Sequence, residues 1–164
     1  MNYICVGEIV NTHGIKGEVR LISNFERKDL IFKKDFIIYV GNNKELLKIN
    51  TYRVHKNFDM LTFDGINDIN DVIMYKGEKV YILRQDLEEN IHLKNDLIGF
   101  NIFYNEKNIG QLSYFFNNNA YDIMVIKGST KDNFVPYLDK FIEKIDYDKK
   151  NIYIINMDGL IDED

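Results

Sequence analysis

Residues 11–20 read N-T-H-G-I-K-G-E-V-R. Gly14 and Gly17, with His13 before them and Lys16 between, admit three readings: a phosphate loop, a clamp on an RNA backbone, or a tight corner between strands. The flanks decide. Residues 3–10 and 18–23 alternate with the period of a strand, and no helical pattern follows the glycines. A dinucleotide or P-loop fingerprint needs more glycines and a helix whose N-terminus receives the phosphate. G-I-K-G also matches the GXXG of KH domains, but there the loop joins two helices. A corner asks glycine for positive φ or for close backbone approach, and these two positions suit that demand. A rigid corner presents side chains well, which leaves His13, Lys16 and Arg20 free to make contacts.

Outward from this corner the chain keeps the same character: short alternating runs separated by Gly, Asn and Asp turns. FIIYVG (36–41) and LLKINTYRVH (46–55) flank G-N-N-K-E, and MLTFDG (60–65) pairs back on 49–55 as a hairpin. Residues 67–77, N-D-I-N-D-V-I-M-Y-K-G, have helical spacing at Ile69, Val72 and Ile73, a capping residue in Asn67 or Asp68, and Gly77 as a stop. One or two helical turns are predicted there, leading into EKVYIL (78–83), and a second short helix within R-K-D-L-I-F-K-K-D (27–35). Polar, weakly patterned residues 85–95 read as a linker. Six further short strands follow between 98 and 156, at the spacing of a small barrel or sandwich. The sole proline, Pro136, cannot donate to a ladder and marks an edge or bulged strand. Phe115 and Phe116 cannot both face inward on a regular strand. The expected fold is all-β: two small β-barrels, over residues 1–84 and 96–164, joined by the short linker 85–95.

Composition narrows the function classes. Hydrophobic residues make up 45% of 164, enough for a packed core, so disorder is not expected. The net charge of −5 argues against broad nucleic-acid affinity, which needs a basic field. The charge is uneven. Residues 1–90 hold 13 basic and 14 acidic groups and every arginine; residues 91–164 hold 8 lysines and 12 acids. A near-neutral half suited to local RNA contact therefore precedes an acidic half suited to a basic protein. No apolar run reaches the roughly 20 residues of a membrane span. The start, MNYICVGEIV, carries no positive charge ahead of its apolar residues, so a signal peptide is not expected and a cytoplasmic location is.

Catalytic and metal chemistry find little support. His13, His55 and His92 show no ligand spacing, and Cys5 is the sole cysteine, inside a strand where it reads as a small core residue. Ser23, Ser113 and Ser129 lack a nucleophile-elbow setting. No catalytic residue, cofactor or metal is expected. The 11 tyrosines and 11 phenylalanines are explained first by core packing and second by base stacking.

Several blocks resemble one family in order and spacing. V-G-E-I-V-N-T-H-G-I-K-G-E-V-R (6–20) is similar to the amino-terminal signature of the ribosome maturation factor RimM family, and residues 52–77 resemble its second block. D-L-I-G-F (96–100), A-Y-D-I-M-V-I (120–126), F-V-P-Y (134–137), I-E-K-I-D (142–146) and D-G-L-I (158–161) resemble its carboxy-terminal PRC barrel. The resemblance implies a translation-factor-like barrel followed by a PRC barrel. It implies a non-enzymatic chaperone for the head of the small ribosomal subunit, needed for 16S rRNA processing. Its partners would be small-subunit ribosomal protein nineteen and the immature subunit; a monomer is expected, with no DNA or membrane contact. Family members often carry two adjacent tyrosines before the D-L-x-G motif that matter for ribosome association. This chain departs there, reading Ile91-His92-Leu93.

These three residues are the expected contact with the ribosomal protein. The expected rRNA contacts are His13, Lys16 and Arg20 on the corner, with Arg53, His55 and Lys56 near the second hairpin. The alternative is a stand-alone RNA-binding barrel module that contacts rRNA directly; a small, flavin-using barrel enzyme is a third class.

Overall fold

The computed structural model describes residues 1–159, and the chain divides into two compact units, one ending at Ile91 and the other beginning at His92. Leu160 and Ile161 of the D-G-L-I block lie outside the described residues. Among the described residues no helix is long and apolar enough to cross a membrane.

The first unit has six strands: β1 (Tyr3–His13), β2 (Glu18–Ile22), β3 (Ile37–Val40), β4 (Glu45–His55), β5 (Phe58–Phe63) and β6 (Lys79–Leu83). They close into a barrel in the order β1-β2-β5-β4-β3-β6. Two long strands make closure possible. β1 pairs through its first half with β6 and through its second with β2, and β4 divides likewise between β3 and β5. Register shifts at Ile9/Asn11 and Ile49/Thr51 lie where the partner changes, and such bulges bend and twist a strand. Inward positions carry Val6, Ile9, Val19, Leu21, Ile38, Ile49, Leu61, Phe63, Val80 and Ile82, all buried.

Cys5 overturns an expectation. It is exposed, because Val6 takes the inward position of the alternation and a register shift follows between Cys5 and Gly7. The capped segment at 67–77 forms two 3-10 turns, Ile69–Asp71 and Ile73–Tyr75, in place of a continuous helix. Asp68 does cap it, accepting from the Asn70 N–H at 2.8 Å. The other short helix is α1 (Lys28–Ile31).

One polar cluster is buried in the first unit. Asp59, 2% exposed, accepts from Lys28 Nζ at 2.8 Å and from the Tyr52 hydroxyl at 2.6 Å. Burial, reinforced by the Asp59 carboxylate, pushes the Tyr52 phenol up to about 12. A buried carboxylate is tolerated when its lone pairs are taken in this way.

The second unit has β7 (Asn101–Tyr104), β8 (Lys107–Asn117), β9 (Asp122–Lys127), β10 (Asp132–Pro136), β11 (Ile142–Asp146) and β12 (Asn151–Ile154). They form a six-stranded sheet in the order β10-β9-β8-β7-β12-β11, with β12 and β7 parallel and the other pairs antiparallel. One face packs Ile102, Leu112, Met124, Ile126, Val135, Ile152 and Ile154 into a common core. Pro136 lies on the edge strand β10, where its missing N–H costs no ladder bond in the sheet interior.

Candidate functional site

The glycine corner is a hairpin between β1 and β2, closed by the pair His13 and Glu18. Gly14 has φ +70° and Gly17 φ +95°. At Gly17 an added Cβ would also stand 3.0 Å from a methyl of Ile66, so positive φ and close approach coincide there. The loop is anchored by the Ile69 N–H donating to the Ile15 carbonyl at 2.9 Å. Lys16 stands exposed at its tip.

From this corner the alternation of β2 sends Val19 and Leu21 into the core and Arg20 to the outside. The ladders then align Arg20 with Met60 on β5 and Met60 with Arg53 on β4, so both arginines lie in one cross-strand row. His55 opposes Phe58 in the neighbouring row. His13, Arg20, Arg53 and His55, far apart in sequence, thus meet on one outer face of the barrel. Lys56 follows in the β4–β5 turn at φ +56°, exposed.

The contacts fix roles. Arg20 Nη2 lies 3.0 Å from His13 Nδ1. Guanidinium only donates, so Nδ1 must accept and the neutral His13 ring carries its proton on Nε2. The Arg20 guanidinium also sits 4.9 Å from the Phe58 ring centre, a cation–π distance. Its Nε is buried without a hydrogen-bond partner among the described residues. The His13 and His55 rings are 5.6 Å apart. Loss of water around the His55 ring, and then the charges of Arg53, His13, Lys56 and Arg20, lower its pKa. Arg53 grips Glu18 with two bonds of 2.9 and 2.7 Å, and this hydrogen bonding holds the Glu18 carboxyl below its ordinary value despite partial burial.

Glu18 and Phe58 also belong to this face and are not among the contacts expected from sequence. The period-two spacing of Glu18 and Arg20 was a signal for the first; Phe58 becomes visible only through the β5 ladder. The face therefore holds donors at fixed positions, one internal counter-charge and an aromatic ring. Such a surface can bind a phosphate or a carboxylate. Among the described residues no group of three His, Cys, Asp or Glu could hold a metal.

The segment 91–93 is resolved into three different situations. Ile91 is half-buried and its carbonyl accepts from the Arg84 guanidinium. His92 is exposed and stacks on Tyr147, with ring centres 3.8 Å apart and planes 13° from parallel. An aromatic pair is thus built from two distant positions. Leu93 corrects the expectation of a partner contact: it is 2% exposed, and its N–H donates to the Asp96 carboxylate at 2.9 Å. A side chain already inside the protein cannot also be presented to a partner.

Comparison with known proteins gives concordant matches. The RimM N-terminal domain model matches residues 4–87, and the RimM PRC barrel domain model matches residues 94–160. A ribosome maturation factor RimM of Staphylococcus haemolyticus (strain JCSC1435) is 43% identical over 164 residues, covering 96% of this chain and 98% of that protein. The protein of the same description from Staphylococcus aureus (strain NCTC 8325 / PS 47) is 41% identical with the same coverage. A solved 16S ribosomal RNA processing protein RimM from Pseudomonas aeruginosa is 19% identical, with TM-score 0.48, covering 93% of this chain and 96% of that one. With both domain models matched in order and full-length relatives above two-fifths identity, the chain belongs to the RimM family of ribosome maturation factors.

Proposed function

We propose that this chain is an assembly chaperone for the head of the small ribosomal subunit, needed for 16S rRNA processing. It acts in the cytoplasm as a monomer and makes or breaks no covalent bond. The first unit contacts rRNA phosphates through Arg20, Arg53, His13 and His55, with Lys16 and Lys56 at the margin. The second unit contacts small-subunit ribosomal protein nineteen, and exposed His92, stacked on half-buried Tyr147, offers one place for it. The observation that carries the reading is the meeting of Arg20, Arg53, His13 and His55 on one outer barrel face. The acidic balance of residues 91–164 supports a basic partner for the other half.

The mechanism is differential binding. A factor that holds protein and rRNA in one geometry must prefer the immature particle, because equal affinity for both states shifts nothing. A preference of a hundredfold corresponds to about 2.8 kcal/mol.

The test uses Lys16→Glu with Lys56→Glu, two exposed positions outside the core. The double variant is expected to sediment less with immature small subunits, by about tenfold at moderate salt, since each lost phosphate contact weakens binding and lowers its salt dependence. Undiminished sedimentation of a folded double variant would remove the rRNA face from the reading.

A further inference from the structure

The second unit carries an apolar face that its own core does not use. On β9 the side chains of Met124 and Ile126 enter the core, so Ile123, Val125 and Lys127 point the other way. The ladders place Tyr114 and Phe134 on either side of Val125, and Phe116 and Pro136 on either side of Ile123. Two adjacent cross-strand rows are therefore wholly apolar or aromatic. Tyr114 is 53% exposed, Phe134 56% and Phe116 39%, whereas Val125 between them is buried. The Phe116 and Phe134 rings meet edge to face at 6.4 Å. The next row, Gln111, Lys127 and Asp132, is a polar border.

A bulge creates this face. Leu112 points into the core, and a regular strand would send Tyr114 to the same side. The register shift between Leu112 and Tyr114 adds a residue and reverses the alternation. Phe115 then packs against the core with Tyr137, while Tyr114 and Phe116 turn outward. Large exposed aromatics grouped in rows mark an interaction surface.

Charge selects the occupant. Residues 91–164 hold 12 acids against 8 lysines and no arginine, which repels a phosphate backbone. A second copy of the chain brings the same −5 and is repelled too. Pro136 removes a backbone donor from β10, so that strand is a poor template for edge pairing. We propose that the outer face of β8, β9 and β10, centred on Tyr114, Phe116 and Phe134, is the docking surface for a basic protein that inserts apolar side chains between these rings. This rests on the reading above, that the second unit takes a basic ribosomal protein, and it names the surface. Charge brings the partner in; the aromatic rows hold it.

The experiment titrates the full chain with purified small-subunit ribosomal protein nineteen by calorimetry at several temperatures. Three variants are compared: Tyr114→Ser with Phe134→Ser, Phe116→Gln alone, and His92→Ala. The expected result is a loss of about 30-fold or more for the double variant, a smaller loss for Phe116→Gln, and a less negative heat-capacity change in both. Wild-type affinity in either a folded double variant or Phe116→Gln, with a loss confined to His92→Ala, overturns this face but leaves the partner standing. Absence of binding by the unsubstituted chain overturns the partner, and this inference with it.

Discussion

The two units solve the same packing problem and then furnish their outer faces in opposite ways. Each buries one side of alternating strands. In the first, the outward positions of β1, β2 and β4 carry His13, Glu18, Arg20, Arg53 and His55, with Arg20 bonded to His13 and Arg53 to Glu18. In the second, the outward positions of β8, β9 and β10 carry Tyr114, Phe116, Ile123, Val125 and Phe134. Strand architecture needs only every second residue for the core, so the remaining half is free to specify what the sheet meets. A polar face carrying guanidinium suits phosphate; an aromatic face in an acidic unit suits a basic protein. The difference teaches that the outward register sets the chemistry each unit offers a partner, while the inward register merely makes the sheet possible.

The largest effect that would sharpen the comparison is Gly110→Ala in the second unit. Gly110 has φ +142°, and a Cβ there would collide with the Lys127 carbonyl oxygen, a backbone atom that cannot step aside. Loss of about 3 kcal/mol or more is expected in urea unfolding. Gly17→Ala in the first unit meets a movable Ile66 methyl at 3.0 Å, so about 1–2 kcal/mol is expected. Equal costs would mean that the backbone contact at Gly110 and the side-chain contact at Gly17 are not as described.

Next in size is Lys28→Met. It leaves the buried Asp59 carboxylate with only the Tyr52 hydroxyl. Breaking such a pair from the exposed side costs about 2–3 kcal/mol, to be read from chemical denaturation monitored in the first unit. Asp59→Asn should cost less, since Lys28 is already partly in water. A neutral Lys28→Met would show that solvent screens the buried carboxylate.

The smallest effects are in pH. Glu18 is held below its ordinary value by Arg53, so its contribution is present above pH 4.5 and is lost as pH falls through the lowered value. His55 has a lowered value as well, so the unfolded chain takes up the proton first and stability falls as pH drops below 6.5. Both shifts act in the same direction, and both lie in the first unit. At high pH, Tyr52 and Tyr75 are pushed up to about 12, above the ordinary 10, so stability declines as pH rises from 10 towards 12. Absorbance titration should show Tyr52 and Tyr75 ionising late, with Tyr39 also raised by burial, and Tyr52→Phe should remove one late-ionising group. A single common ionisation near 10 would contradict the buried hydroxyl contacts.

Much of the fold was legible because alternation is local. The strands around the glycine corner, the hairpin closing at His55 and Phe58, the edge position of Pro136 and the split destinies of Phe115 and Phe116 all follow from period two and turn chemistry. The site was legible in part. Lys16 and Lys56 announce themselves as exposed turn cations, but the bond from Arg20 to His13 depends on a register between strands. Cys5 and Leu93 show the limit most clearly. Each has neighbours that permit either face, and only the inward claim of Val6 and the turn held by Asp96 decide which way they point.

The amino-acid order alone thus determined the all-β class, the tight Gly14–Gly17 corner and the uneven charge of the two halves, since these depend on backbone sterics and on counting. Tertiary structure decided which outward residues stand side by side: Arg20 with Arg53 across Met60, and Tyr114 with Phe134 across Val125. The reason is physical. A one-residue bulge reverses every side chain beyond it, and its position is chosen by how whole strands pair and pack.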